Sequence, residues 1–288
     1  MIYITTSNGV LSYDHQADKC TMLVSPAESQ GFFGLDFHQS SGTIIAACRR
    51  NLRFTFRQKK HGSDVMLYRI DPSDGTAREL GPVYKVFDVH QIAIHGDTVF
   101  LTDTTLNRVH VFDLASRRTT GMLNIGPRRK DINHVNAVLV RDGELLVGLN
   151  NRGEKDSEVL SIPLDLALSP PRGKVDILKL GRIRAMRGVV HSHDLEPYEN
   201  GLIGCASHDG FVFRMETSEP FIRTEGWVRG LAETPEGLWV GTSRIATRAE
   251  RHKGELDGRI MLFSHGEAEP RKTVPLEGAG QICDLISV

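Results

Sequence analysis

The chain repeats one short unit along its 288 residues. Each unit is a brief polar-then-apolar strand, a tight turn, a second strand ending in small or polar residues, a variable loop, a third strand and a fourth. The first strands of five such units begin near Phe33, His90, Asn136, Asp194 and Gly230. The turns between first and second strands are explicit: Gln39-Ser-Ser-Gly42, His95-Gly-Asp97, Arg141-Asp-Gly-Glu144, Glu199-Asn-Gly201 and Thr234-Pro-Glu-Gly237. Asp-Gly and Asn-Gly pairs supply the positive φ angles that two-residue hairpins need. A unit of four short strands cannot bury its apolar residues alone, so the units must stack on one another.

The two ends complete the count. Gln281–Val288 reads as a first strand with nothing after it, whereas the chain opens on three strands, Met1–Thr6, Val10–Asp14 and Cys20–Val24, that lack a first one. Joined, they make a sixth unit. Period-two alternation and scarce helical periodicity agree with strands throughout. The pattern predicts an all-β six-bladed β-propeller in one domain, 1–288, whose last blade is closed by the C-terminal innermost strand plus the three N-terminal strands. In the third unit the four strands are expected at Asn136–Val140, Glu144–Leu149, Glu158–Pro163 and Lys174–Leu180. Two long basic stretches, 49–63 and 243–257, fall between second and third strands.

Composition narrows the partners. With 35 basic and 36 acidic residues the net charge is −1, so no nucleic acid partner is expected. Four scattered cysteines without a CxxC pair read as reduced, buried thiols. The N-terminus lacks the pattern of a signal peptide. No apolar run approaches the roughly 20 residues of a membrane span. The expectation is a cytoplasmic protein with a small-molecule substrate and no membrane contact.

The start of each first strand and the end of each second strand share one face of the disc, and the unusual side chains concentrate there. Aligning the strands on Leu35, Ile92, Val138, Leu195, Leu231 and Leu285 puts Phe33, His90, Asn136, His193, Arg229 and Cys283 at one level. One step outward come Asp88, His134, His191, Trp227 and Gln281. On an extended segment His191 and His193 point the same way. Imidazoles converging on one space suit a divalent metal ion, at about 2.0–2.1 Å from zinc, or a proton transfer. His90, His134, His191 and His193 are therefore the candidate metal ligands, with His193, His134 and Arg229 the candidate catalytic groups. Asn136, Asn151, Arg152, Trp227, Arg244 and Gln281 are candidate ligand-binding residues, the arginines for an anion and Trp227 for a ring.

The six-blade pattern and the second strand Leu238-Trp-Val-Gly-Thr242 resemble the gluconolactonase/strictosidine-synthase-like and NHL-repeat propellers over nearly the whole chain. That resemblance implies a metal site built on an early glutamate with asparagine and aspartate ligands. The matching early position here is Phe33-Gly34, so the carboxylate is missing, while Asn136 matches the asparagine. A His-x-His on a propeller strand is similar to the metal sites of some polysaccharide lyase propellers and of the streptogramin lyase. Asn133-His-Val-Asn136, His191-Ser-His-Asp194 and Arg229-Gly-Leu231 together resemble a group of uncharacterised bacterial propellers.

Two functions follow as expectations. One is a metal-dependent enzyme, of lyase or hydrolase type, acting in the central channel on a small polar, anionic substrate, with a divalent ion of unspecified identity as cofactor. The other is a non-catalytic propeller that binds a protein or small-molecule ligand on the same face.

Overall fold

The computed structural model describes residues 1–25, 31–49, 65–126, 131–171, 175–247, 250 and 256–288. Residues 50–63 of the first basic stretch, and 248, 249 and 251–255 of the second, lie outside the described residues. Six four-stranded antiparallel sheets form, each following chain order from the axis outward except at the closure. Their innermost strands are Gly31–His38, Ile92–His95, Val135–Arg141, Ser192–Tyr198, Trp227–Thr234 and Ile282–Ser287, here numbered blades 1 to 6. Blade 6 is completed by Ile2–Thr6, Gly9–Asp14 and Lys19–Val24. Ile2 pairs with Ser287, Tyr3 with Ile286 and Ile4 with Leu285, so the two ends of the chain share one sheet. The fold is a six-bladed β-propeller.

No single central core holds the ring. Six apolar clusters each fill one seam between neighbouring blades, and each contains one anchor of an innermost strand. Ile92 packs at the seam of blades 1 and 2, and Val138 at that of blades 2 and 3. Leu195 and Leu231 occupy the next two seams, Leu285 the seam of blades 5 and 6, and Leu35 the last. Alternating strands buried on both faces are what such stacking requires.

Polar side chains stitch the same seams near the axis. Asp36 accepts from Ile94 N at 2.6 Å, Gln91 from Val138 N at 3.0 Å, Asp194 from Gly230 N at 2.6 Å and Asp284 from Leu35 N at 3.3 Å. Asn136 Nδ2 donates to Ser192 O at 2.8 Å, and Ser243 Oγ accepts from Ile282 N at 2.9 Å. Each bond satisfies a backbone group that the irregular inner strand leaves unpaired.

Two local expectations are corrected. The outer strand of blade 3 is Arg182–Ala185, not Lys174–Leu180. The preceding stretch carries a short helix, Leu164–Leu168, and a turn of 3-10 helix, Ile177–Lys179. Pro170 lies against Gly121 and Asp176 bridges Asn124, so this connection covers the outer edge of blade 2 rather than extending blade 3. All four cysteines are free, but Cys20 is exposed on an outer strand; the other three are buried. No helix among the described residues is long and apolar enough to cross a membrane.

Candidate functional site

A β-bulge recurs near the same level of five blades. Pairing skips Phe33, Asn136, Arg229-Gly230 and Cys283, and breaks after His193. A bulge leaves its residue out of the ladder and re-aims its side chain. Here it turns the expected level of residues toward the axis.

At the upper mouth of the channel, His90 is the hub. Its ring lies 6.1 Å from that of Phe33, 5.6 Å from His134 and 5.8 Å from His193. Two guanidinium groups flank it. Arg49, from the second strand of blade 1, places Cζ 3.5 Å from the Phe33 ring centre, pairs with Asp88 at 2.6 Å and donates to Val89 O at 2.7 Å. Arg229 Nη2 reaches His193 Nε2 at 3.0 Å. The hydrogen bonds fix the His193 tautomer. Nδ1–H donates to His191 O at 3.0 Å, so Nε2 carries the lone pair that accepts from Arg229. Burial, then the Arg49 and Arg229 charges, hold His90 well below the usual imidazole range; burial and Arg229 do the same for His193. Both rings are neutral at pH 7. Cys283 faces the same space, and burial pushes its thiol up to about 12, so it is no nucleophile there.

Three buried polar atoms near this level have no hydrogen-bond partner among the described residues: Arg229 Nε, Gln281 Nε2 and Asn136 Oδ1. Arg229 is 7% exposed, Gln281 5% and Asn136 1%. Native proteins seldom leave such groups unsatisfied.

The other named residues spread outward. His191 departs from the arrangement expected of two histidines on one strand. Its φ of 53° puts it in the left-handed region before the strand starts, and its ring lies on Gly153 and 5.8 Å from His208. The two imidazoles therefore do not share one space, because the period-two rule holds only inside the ladder. His134, also at positive φ, is held by Asp131 at 3.0 Å. His191 is turned away, so His90, His134 and His193 gather at the mouth without the fourth histidine, and the His193 Nε2 lone pair faces Arg229. Among the described residues no group of three or more His, Cys, Asp or Glu side chains is placed to hold a metal ion.

Trp227 stands half-buried at the rim, 6.5 Å from His208, with the Arg229 guanidinium 5.6 Å from its ring. Asn151 donates to Asp156 O and Glu158, shaping its own loop. Arg152 is exposed and donates to Asp131 O at 3.3 Å; Arg244 is exposed. Sequence reading placed Arg49 at the end of a second strand on this face and at the start of a basic stretch, without a role; its packing over Phe33 is within blade 1, and its bonds to Asp88 and Val89 O form only when blade 2 closes against it.

No family model matches the chain, and no curated protein sequence matches it. Solved structures do. A chain of a nidogen/laminin complex aligns with 99% of this chain and 97% of its own length, at 10% identity and a TM-score of 0.66. A protein of unknown function from Bacteroides caccae aligns over 99% and 97%, at 11% identity and a TM-score of 0.65. TolB from Acinetobacter baumannii aligns over 99% of this chain and 65% of its own, at 11% identity and a TM-score of 0.56. The likeness is one of fold.

Proposed function

We propose that the upper mouth of the channel binds a small anion, a carboxylate or phosphate, through Arg229 and without a metal ion. The observation that carries this reading is the pair of buried donors, Arg229 Nε and Gln281 Nε2, left without acceptors at a level that already holds two guanidinium groups. An anionic oxygen satisfies such donors and is favoured by the surrounding positive charge. The neutral imidazoles add hydrogen-bonding groups without adding repulsion among cations.

A second reading keeps the same ligand and adds chemistry, in the lyase or hydrolase class. It is favoured by His193, a neutral imidazole held in one tautomer whose Nε2 lone pair becomes available as a general base once an anion draws Arg229 away.

Calorimetric titration with succinate and with inorganic phosphate tests the reading. One of them is expected to bind, and Arg229→Gln to weaken it at least tenfold, about 1.4 kcal/mol, with chelator treatment leaving the affinity unchanged. Equal binding by the Arg229→Gln protein removes the reading. Binding that requires an added divalent ion returns the metal-dependent one. Turnover of any bound acid that His193→Ala abolishes, with affinity retained, selects the enzyme over the binding protein.

A further inference from the structure

The lower half of the channel is a different environment. Below the layer of Leu35, Ile92, Val138, Leu195 and Leu285 lies a cavity of about 690 Å³ that reaches the face carrying the short first-to-second strand turns. Its size is that of a small-molecule site. Three carboxylates line it, Asp36 from blade 1, Glu196 from blade 4 and Asp284 from blade 6, and no lysine or arginine among the described residues does. The protein is nearly neutral overall, yet guanidinium groups gather at one mouth of its channel and carboxyl groups at the other.

Asp36 and Asp284 have structural work, each accepting a backbone N–H across a seam. Glu196 has none. Its carboxylate accepts no hydrogen bond from any described residue, while the charges of Asp36, Asp194 and Glu233 bear on it. Gln91 supplies an independent sign of a missing occupant. It lines the cavity while only 7% exposed, its Oε1 is used by Val138 N, and its Nε2 donates to no described residue. Like charges gathered in an enclosed space raise one another's energy, and a cation among them relieves that repulsion. A divalent metal is not favoured by the donor arrangement. An organic ammonium ion spreads its charge, needs no fixed coordination geometry and suits a cavity of this volume.

We propose that the lower cavity binds a small organic ammonium ion, with its charge on Glu196 and an oxygen of the same ligand accepting from Gln91. This site is separate from the anion site above and does not depend on it. Burial and the neighbouring carboxylates, Asp36, Asp194 and Glu233, hold Glu196 well above the usual carboxylate range, and Asp284 is raised by burial, Asp194 and Glu196. Ammonium binding near neutral pH therefore releases protons, because the ligand stabilises the ionised carboxylates.

Titration of the whole protein with ethanolamine at pH 8, with propylamine and propionate as comparators, tests the site. Ethanolamine is expected to bind, propylamine more weakly, and propionate not through this cavity. Glu196→Gln is expected to weaken ethanolamine at least tenfold. The same variant should unfold at a temperature equal to or above wild type at pH 8, which separates a lost site from a lost fold. Calorimetry at pH 7 in two buffers of different ionisation heat should show proton release to the buffer. Absence of ethanolamine binding at millimolar concentrations, or equal affinity in the Glu196→Gln protein, overturns the proposal. So does a Glu196-dependent preference for a divalent ion over the amine.

Discussion

A chain ending at Gly280 is expected to lose its cooperative unfolding transition. The missing residues include the strand Ile282–Ser287, which pairs with Ile2–Thr6 and closes blade 6. The loss is not that of a frayed terminus. Ile282 and Leu285 sit in the seam of blades 5 and 6, Ile286 packs at the seam of blades 6 and 1, and Cys283 reaches the seam of blades 1 and 2. Removing a buried Ile or Leu side chain costs about 2–5 kcal/mol, and two of them approach the roughly 5–15 kcal/mol that holds a typical domain together. The backbone of Ile2–Thr6 also becomes an open edge carrying Ile2, Tyr3 and Ile4, a template for association. Thermal unfolding followed by circular dichroism is the measurement. Closure by this strand is disproved by a melting temperature within about 2 °C of the intact chain, since roughly 1 kcal/mol shifts a protein of this size by a few degrees.

Gly230→Val is expected to be nearly as severe from a single atom group. Gly230 follows Arg229 in the blade 5 bulge, has φ +80°, and donates its N–H to Asp194 at 2.6 Å. A Cβ at this position would overlap Leu285 Cδ1 and stand 3.0 Å from backbone atoms of Asp284 and Leu285. Strain from a β-branched residue at positive φ is about 1–3 kcal/mol, and overpacking adds about 1–3 kcal/mol. Relief would require blade 6 to move away from blade 5, carrying Arg229 off His193. Urea unfolding should therefore show a loss of at least about 2 kcal/mol, with the His193 ring resonances shifted. A change under about 0.5 kcal/mol would show that the bulge is not packed against Leu285 as described. Gly230→Ala, with less bulk, should fall between the two.

Acid should affect the upper-mouth histidines and the buried carboxyls near the axis in opposite senses. For His90 and His193 the folded-state affinity for protons is lowered, so the unfolded chain binds more protons and stability falls as pH drops below the ordinary imidazole value of 6.5. Asp36 and Asp194 are raised to about 6 by burial, so their contribution is favourable when protonated and is lost as pH rises through about 6. Glu196→Gln should accordingly gain stability relative to wild type as pH rises above 4.5, and His193→Gln should lessen the decline below 6.5. A Glu196→Gln difference that is the same at pH 4.5 and pH 8 would contradict the raised carboxyl.

The period-two alternation and the Asp-Gly and Asn-Gly turns were enough to count the blades and to pair the ends of the chain, because each blade's signal is local and repeats. They were also enough to bring Phe33, His90, His193 and Arg229 to one level, since register against the buried anchors Leu35, Ile92, Leu195 and Leu231 fixes height along the axis. What the alternation could not fix was direction at the bulges. His134, His191 and Asp194 take positive φ without being glycine, so no residue type marks the place where the ladder breaks. Tertiary packing alone turned His191 onto Gly153 and gave the His193 lone pair to Arg229. The lower cavity was hidden for a related reason. Asp36, Glu196 and Asp284 are far apart in sequence and lie in unremarkable innermost strands; only closing the ring sets their carboxylates around one space, where burial and mutual repulsion change what they can bind.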